Sequence, residues 1–196
     1  ALVGENGAGK STILKAVAGV HQMDSGTSTI DGKMVSISNT KDALENGISI
    51  VFQESTINPF ITIAENIFID RLHEYTRKMT GIDWKRLNDD AQKILDSMES
   101  GINVKSDIHT LNLGQWKLIE VARALSYNPK ILLLDESTAF LNHNETVSFI
   151  NAVKKLRESG LAIGFVSHHM NEIYSLADRV TVMRDGKFII EMVREE

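Results

Sequence analysis

The chain has 196 residues, 42% of them hydrophobic and 24% charged, a balance that suits one large globular domain or a core with a subdomain. It holds no cysteine, which excludes disulfide and thiolate chemistry, and no apolar run approaches the roughly 18 to 20 residues of a membrane-spanning helix. A formal net charge of −5 argues against a broad nucleic-acid surface, which needs a basic face.

Residues 1–3 read as the end of a strand, so the sequence is expected to begin inside its first core strand, with upstream segments of a parent protein missing. Gly4-Glu5-Asn6-Gly7-Ala8-Gly9-Lys10-Ser11-Thr12 follows and matches G-x-x-x-x-G-K-[ST] at every fixed position. Glycines there let backbone N–H groups turn inward around a phosphate, which a Cβ would obstruct. Lys10 is expected to reach the β/γ-phosphates, and Ser11 to offer its hydroxyl to Mg²⁺. Residues 12–18 predict a helix whose positive N-terminus faces the bound anion. Gly4, Asn6, Gly7, Ala8, Gly9, Lys10, Ser11 and Thr12 are therefore the candidate residues for binding a nucleoside triphosphate, which the resemblance given below implies is ATP.

Residues 27–30 and 34–37 flank Asp31-Gly32-Lys33, a predicted hairpin; residues 41–44 predict a short helix and 48–52 a strand. From about residue 63 to 125 the pattern turns helical and more polar. Leu87, Ala91, Ile94, Leu95 and Met98 share one face of a helix starting at Asp83 or Trp84. Strand character returns at 130–134 and 161–166 around a helix near 145–158, and residues 179–192 form a hairpin over Asp185-Gly186. The fold class is α/β: a P-loop NTPase core with a mostly parallel sheet, an antiparallel β element and an inserted helical subdomain. Residues 1–53 and 126–196 are assigned to the core and 54–125 to the helical subdomain.

Leu132-Leu133-Leu134 delivers Asp135 and Glu136 at the C-terminal edge of a buried strand, where open α/β sheets bind ligands. Asp135 is expected to help hold Mg²⁺, and Glu136 to orient or deprotonate the attacking water. The adjacent pair His168-His169 does not suggest a metal site, because neighbouring helical residues diverge and no third ligand accompanies them. Trp84 is expected to pack the helical subdomain against its neighbour.

In this order the motifs resemble the ATP-binding subunits of ABC transporters. Gln53 matches the family's glutamine loop, which implies contact with Mg²⁺ and the attacking water. Leu111-Asn112-Leu113-Gly114-Gln115 falls at the family signature, before a helix read over residues 116–125, and Ser167-His168 matches the switch histidine. The resemblance implies catalytic roles for Glu136, His168 and Gln53, metal contacts from Ser11, Gln53 and Asp135, and Asn112, Gly114 and Gln115 covering ATP in trans. The signature region, with Thr62-Ile63-Ala64-Glu65-Asn66-Ile67-Phe68 and Ile82-Asp83-Trp84, is similar to the first ATPase half of bacterial monosaccharide importers of the ribose, xylose and galactose type. That implies ATP hydrolysis with Mg²⁺ and a second ATPase half, fused or as a homodimer. It also implies a membrane permease, an indirect periplasmic sugar-binding protein, and a peripheral place on the cytoplasmic face of the inner membrane.

The chain departs from the family pattern at three positions. Asn112 stands for the signature serine, Ser137 for a proline after the acidic pair, and Asn142 for a loop aspartate. The family's adenine-stacking aromatic belongs upstream of Ala1. Two alternatives follow: a nucleotide-binding regulatory module with weak hydrolysis, motivated by those three residues, and a soluble ribosome-associated protein, disfavoured by the acidic charge balance. An exporter would keep LSGGQ and the aspartate; a DNA-repair relative would carry a long coiled coil between the motifs.

Overall fold

Six strands form the main sheet, in the order β10-β9-β1-β8-β7-β4. They are numbered in chain order as β1 (Leu2–Gly4), β4 (Ile48–Val51), β7 (Ile131–Asp135), β8 (Ala162–Val166), β9 (Arg179–Arg184) and β10 (Lys187–Val193). The five from β9 to β4 are parallel, while β10 returns antiparallel on β9 through Asp185-Gly186, both residues at positive φ. Register sets Leu2 against both Val166 and Thr181, and Leu134 against Val51 and Phe165. The computed structural model describes residues 1–77 and 81–194, in two compact units.

The first unit comprises Ala1–Gln53, Tyr127–Ala139 and Leu161–Glu196 and contains this sheet. It also holds α1 (Lys10–Val17), the hairpin β2 (Ser28–Ile30) and β3 (Lys33–Val35), α2 (Thr40–Glu45) and α7 (Met170–Leu176). Leu14 and Ala18 pack with Ile37, Ala43, Ile48, Leu133 and Val166 in its core. The β2–β3 turn is tighter than the sequence predicts: Lys33 pairs with Ile30, leaving Asp31 and Gly32, at φ 51° and 73°, as the two turn residues. Two residues of positive φ match the twist of a two-residue hairpin.

The second unit comprises Glu54–Ser126 and Phe140–Gly160. It is built from α3 (Ile63–Ile67), the short pair β5 (Thr76–Arg77) and β6 (Gly81–Ile82), α4 (Trp84–Ser97), α5 (Leu113–Leu125) and α6 (His143–Glu158). Leu87, Ala91, Leu95 and Met98 are fully buried, as the helical period of α4 predicts. The pair β5–β6 lies where the sequence suggests only helix; two residues per strand carry no readable alternation. Trp84, expected to be packed, opens α4 and stays 47% exposed. Packing also groups α6 with these helices, through α5, whereas the sequence assignment runs the core on from residue 126.

Candidate functional site

The glycine loop joins β1 to α1. Gly4 ends the strand, Ala8 N–H closes a turn on the Glu5 carbonyl at 3.1 Å, and Gly9, at φ 92°, occupies the N-cap of α1. That left-handed conformation is strained for any residue with a Cβ. The first turn of α1 carries no acidic side chain, and no side chain caps it. Its N–H groups and positive dipole end are therefore available to an anion. Lys10 is buried, and its ammonium donates to the Gly4 and Glu5 carbonyls at 2.9 and 3.0 Å. An ammonium has three protons, so one remains for a phosphate oxygen.

Asn6, Gly7, Gly9, Lys10, Ser11 and Thr12 line a cleft of about 410 Å³ together with Glu136 and His168, from the ends of β7 and β8. Ser11 Oγ donates to Asp135 Oδ1 at 2.7 Å, and Asp135 is buried at the end of β7. A hydroxyl and a carboxylate in contact are hard oxygen donors of the kind that hold Mg²⁺ beside a nucleotide. Among the described residues no group of three or more His, Cys, Asp or Glu could hold a metal. A divalent ion here would thus need phosphate oxygens and water to complete its shell.

His168 Nε2 and Glu136 Oε1 are 2.6 Å apart. An ionised carboxylate only accepts, so a hydrogen bond between the two requires the imidazole proton on Nε2. The Glu136 backbone is left-handed, φ 44°, a conformation that costs energy and survives where neighbours over-determine it. Here Glu136 N–H donates to the Val166 carbonyl at 3.2 Å, and the Glu136 carbonyl accepts from Ala139 N–H at 3.1 Å. The turn lifts the Glu136 side chain into the cleft while Asp135 stays buried.

The remaining sequence candidates lie elsewhere. Gly4 and Ala8 shape the loop without lining the cleft; Ala8 is buried and its carbonyl accepts from Gly186 N–H at 3.2 Å. Gln53 is the last residue of the first unit, half-buried just beyond β4, and is not among the lining residues. Asn112, Gly114 and Gln115 belong to the second unit, where Asn112 is the N-cap of α5. The helix starts at Leu113, not at Trp116, because Asn112 and Gln115 close a capping box around its first turn. Gly114 is buried against α6: a Cβ there would come within 2.8 Å of Glu145 Cβ.

One further residue of α5 escaped the sequence reading. Glu120 is buried, ion-paired to Lys117 Nζ at 2.7 Å, and accepts from Ser55 Oγ at 3.0 Å and from Thr56 N–H. Arg123, one turn on, donates to Thr56 Oγ1 at 2.9 Å and to the Asn66 carbonyl at 2.7 Å. The segment that follows Gln53 is thereby tied to the helix that carries the signature residues. The available signal was a glutamate inside the otherwise apolar stretch Leu118–Ala122 of a helix.

The family model described as ABC transporter matches residues 1–139. The ribose import ATP-binding protein RbsA of Caldanaerobacter subterraneus subsp. tengcongensis is 41% identical over 189 residues, which cover 96% of this chain and 38% of that protein. The galactose/methyl galactoside import ATP-binding protein MglA of Clostridium tetani is 40% identical over 192 residues, 96% of this chain and 38% of that protein. The chain thus spans about two fifths of the length of the curated relatives it matches. The crystal structure of a nucleotide-free ATP-binding cassette from an ABC transporter has a TM-score of 0.85 and 25% identity, covering 99% of this chain and 79% of that one. With its phosphate loop, its acidic strand end and His168 in one unit, the chain belongs to the ABC transporter family.

Proposed function

We propose that this chain binds and hydrolyses Mg·ATP as one ATPase half of a monosaccharide importer. The observation that carries the reading is the 2.6 Å His168–Glu136 pair in the same cleft as Lys10 and Ser11. The Gly7–Thr12 backbone and the N-terminus of α1 cradle the phosphates, and Lys10 adds a point charge. Ser11 and Asp135 would hold Mg²⁺, with Gln53 as a further proposed contact, and the ion would neutralise charge on the β- and γ-phosphate oxygens. Glu136 orients the attacking water and accepts its proton, while His168 fixes the carboxylate through Nε2–H and stands ready for the γ-phosphate. Positioning and charge neutralisation carry such a reaction, since it asks little covalent chemistry of the protein.

The signature residues Asn112, Gly114 and Gln115 would cover ATP held by a second ATPase half, fused or as a homodimer. A permease would dock this chain at the cytoplasmic face of the inner membrane, with a periplasmic sugar-binding protein upstream. Relatives named for ribose and for galactose import support a monosaccharide without choosing between them. The regulatory alternative drew on Asn112, Ser137 and Asn142. The two asparagines are N-caps in capping boxes, which is a structural reason for asparagine at each of those positions.

The test is steady-state Mg·ATP hydrolysis by the full-length protein beside Glu136→Gln. Loss of a general base costs about 10²- to 10⁴-fold. A fall of that size with ATP binding retained supports the reading, and EDTA should abolish turnover in the unmodified protein. ATP binding with no turnover in the unmodified protein would overturn it in favour of a regulatory module.

A further inference from the structure

Glu172 lies in the first turn of α7, buried, on the same helix as the buried Ile173 and Leu176. Its Oε2 accepts two hydrogen bonds, from Ser167 Oγ at 2.6 Å and from Thr138 Oγ1 at 2.8 Å. Ser167 immediately precedes His168, and Thr138 stands two residues after Glu136. One carboxylate oxygen therefore joins the two loops whose side chains meet at 2.6 Å in the cleft.

The clamp is directional on the histidine side. Ser167 Oγ donates to Glu172 and accepts from His169 N–H at 3.0 Å, so both ends of the hydroxyl are engaged and the turn presenting His168 is set. On the other side, Thr138 is buried and lies within the strained turn that starts at Glu136 and is closed by the Ala139 N–H. If filling space were the requirement, an apolar residue would serve better here, because burying a carboxylate costs energy that two hydroxyl donors only partly recover. What a carboxylate adds is an oxygen able to accept from both loops at once.

We propose that Glu172 is a positioning residue for ATP hydrolysis, holding His168 against Glu136 through Ser167 and Thr138. The inference rests on the ATPase reading above. A side-chain displacement of about 1 Å at reacting groups can cost on the order of a hundredfold in rate, whereas the phosphate loop supplies none of the side-chain bonds of this clamp.

The experiment compares Glu172→Leu and Glu172→Gln with the unmodified full-length protein, with kcat expressed per ATP-binding site so that misfolded material does not count. Glu172→Leu fills the space without an acceptor and should lower kcat about ten- to a hundredfold, with KM for Mg·ATP within about twofold. Glu172→Gln keeps an oxygen that can accept both hydroxyls and should restore most of the rate. Hydrogen exchange at the His169 amide gives a readout without turnover: it should quicken in Glu172→Leu and stay slow in Glu172→Gln. A Leu variant with unmodified kcat and unmodified His169 exchange, whatever its thermal stability, overturns the proposal. If the unmodified protein binds ATP but does not turn it over, the ATPase reading fails, and the exchange comparison alone decides whether Glu172 sets the His168 turn.

Discussion

Asn112 and Gln115 cap one another: Asn112 Oδ1 accepts the Gln115 N–H at 2.9 Å, and Gln115 Oε1 accepts the Asn112 N–H at 3.0 Å. Two donors at the start of α5 are satisfied by one pair of side chains, and the signature residues Leu113, Gly114 and Gln115 become its first turn. Serine and asparagine cap helices about equally, while alanine costs about 1 kcal/mol. Asn112→Ser should therefore leave thermal stability unchanged, and Asn112→Ala should lower it by about that amount. Denaturation curves of the two variants check this, and any change in turnover in Asn112→Ser then reports on the nucleotide rather than on the helix.

The buried pair of Lys117 and Glu120 makes a different prediction. Removing one partner of such a pair leaves an uncompensated charge and typically costs about 3 to 5 kcal/mol. Lys117→Met should fall near the low end, about 3 kcal/mol, because Ser55 and Thr56 still donate to Glu120. Protease protection of residues 54–58 should weaken in parallel, since that segment is held by the same carboxylate. Urea unfolding with a local proteolysis map would show both effects or neither.

Ser137 stands where the resemblance expects a proline, and its buried hydroxyl has no hydrogen-bond partner among the described residues. An unsatisfied buried polar group costs about 1 to 3 kcal/mol, and replacing it by an apolar group of similar size removes that cost. Ser137→Ala should raise the melting temperature without loss of ATP affinity. A lowered melting temperature would show that the hydroxyl is satisfied in solution.

Asp83 caps α4. The Arg86 backbone N–H holds its carboxyl below the ordinary value of 3.8, with the Arg77 side chain adding to the effect. A folded-state pKa below the unfolded one means a contribution that is complete above the unfolded value and disappears as pH falls through the folded one. Asp83→Asn keeps an acceptor at the cap but cannot titrate. The stability difference between the two proteins should be constant above about pH 5 and shrink below about pH 4. Acid unfolding of both, followed by circular dichroism, tests the sign.

Patterns confined to a few neighbouring residues were legible without coordinates. The phosphate loop, the Asp-Gly hairpins, the apolar β7 run and the period of α4 each depend on φ preference or side-chain spacing within one or two turns of chain. The start of α5 is legible in the same way, since Asn112 and Gln115 have capping-box spacing, but the family resemblance points to their covering ATP in trans instead.

The amino-acid sequence by itself determined a nucleotide loop, a strand ending in Asp135 and Glu136, and a chain that alternates strand and helix. Only the tertiary structure decided that Leu2 pairs with both Val166 and Thr181, that Gly114 faces Glu145, and that Glu172 reaches Ser167 and Thr138. Those contacts join residues separated by as many as 179 positions, or depend on which way a buried side chain points. No local propensity encodes either one: register and side-chain direction are settled when whole elements pack, and the lowest-energy packing is a property of all of them together.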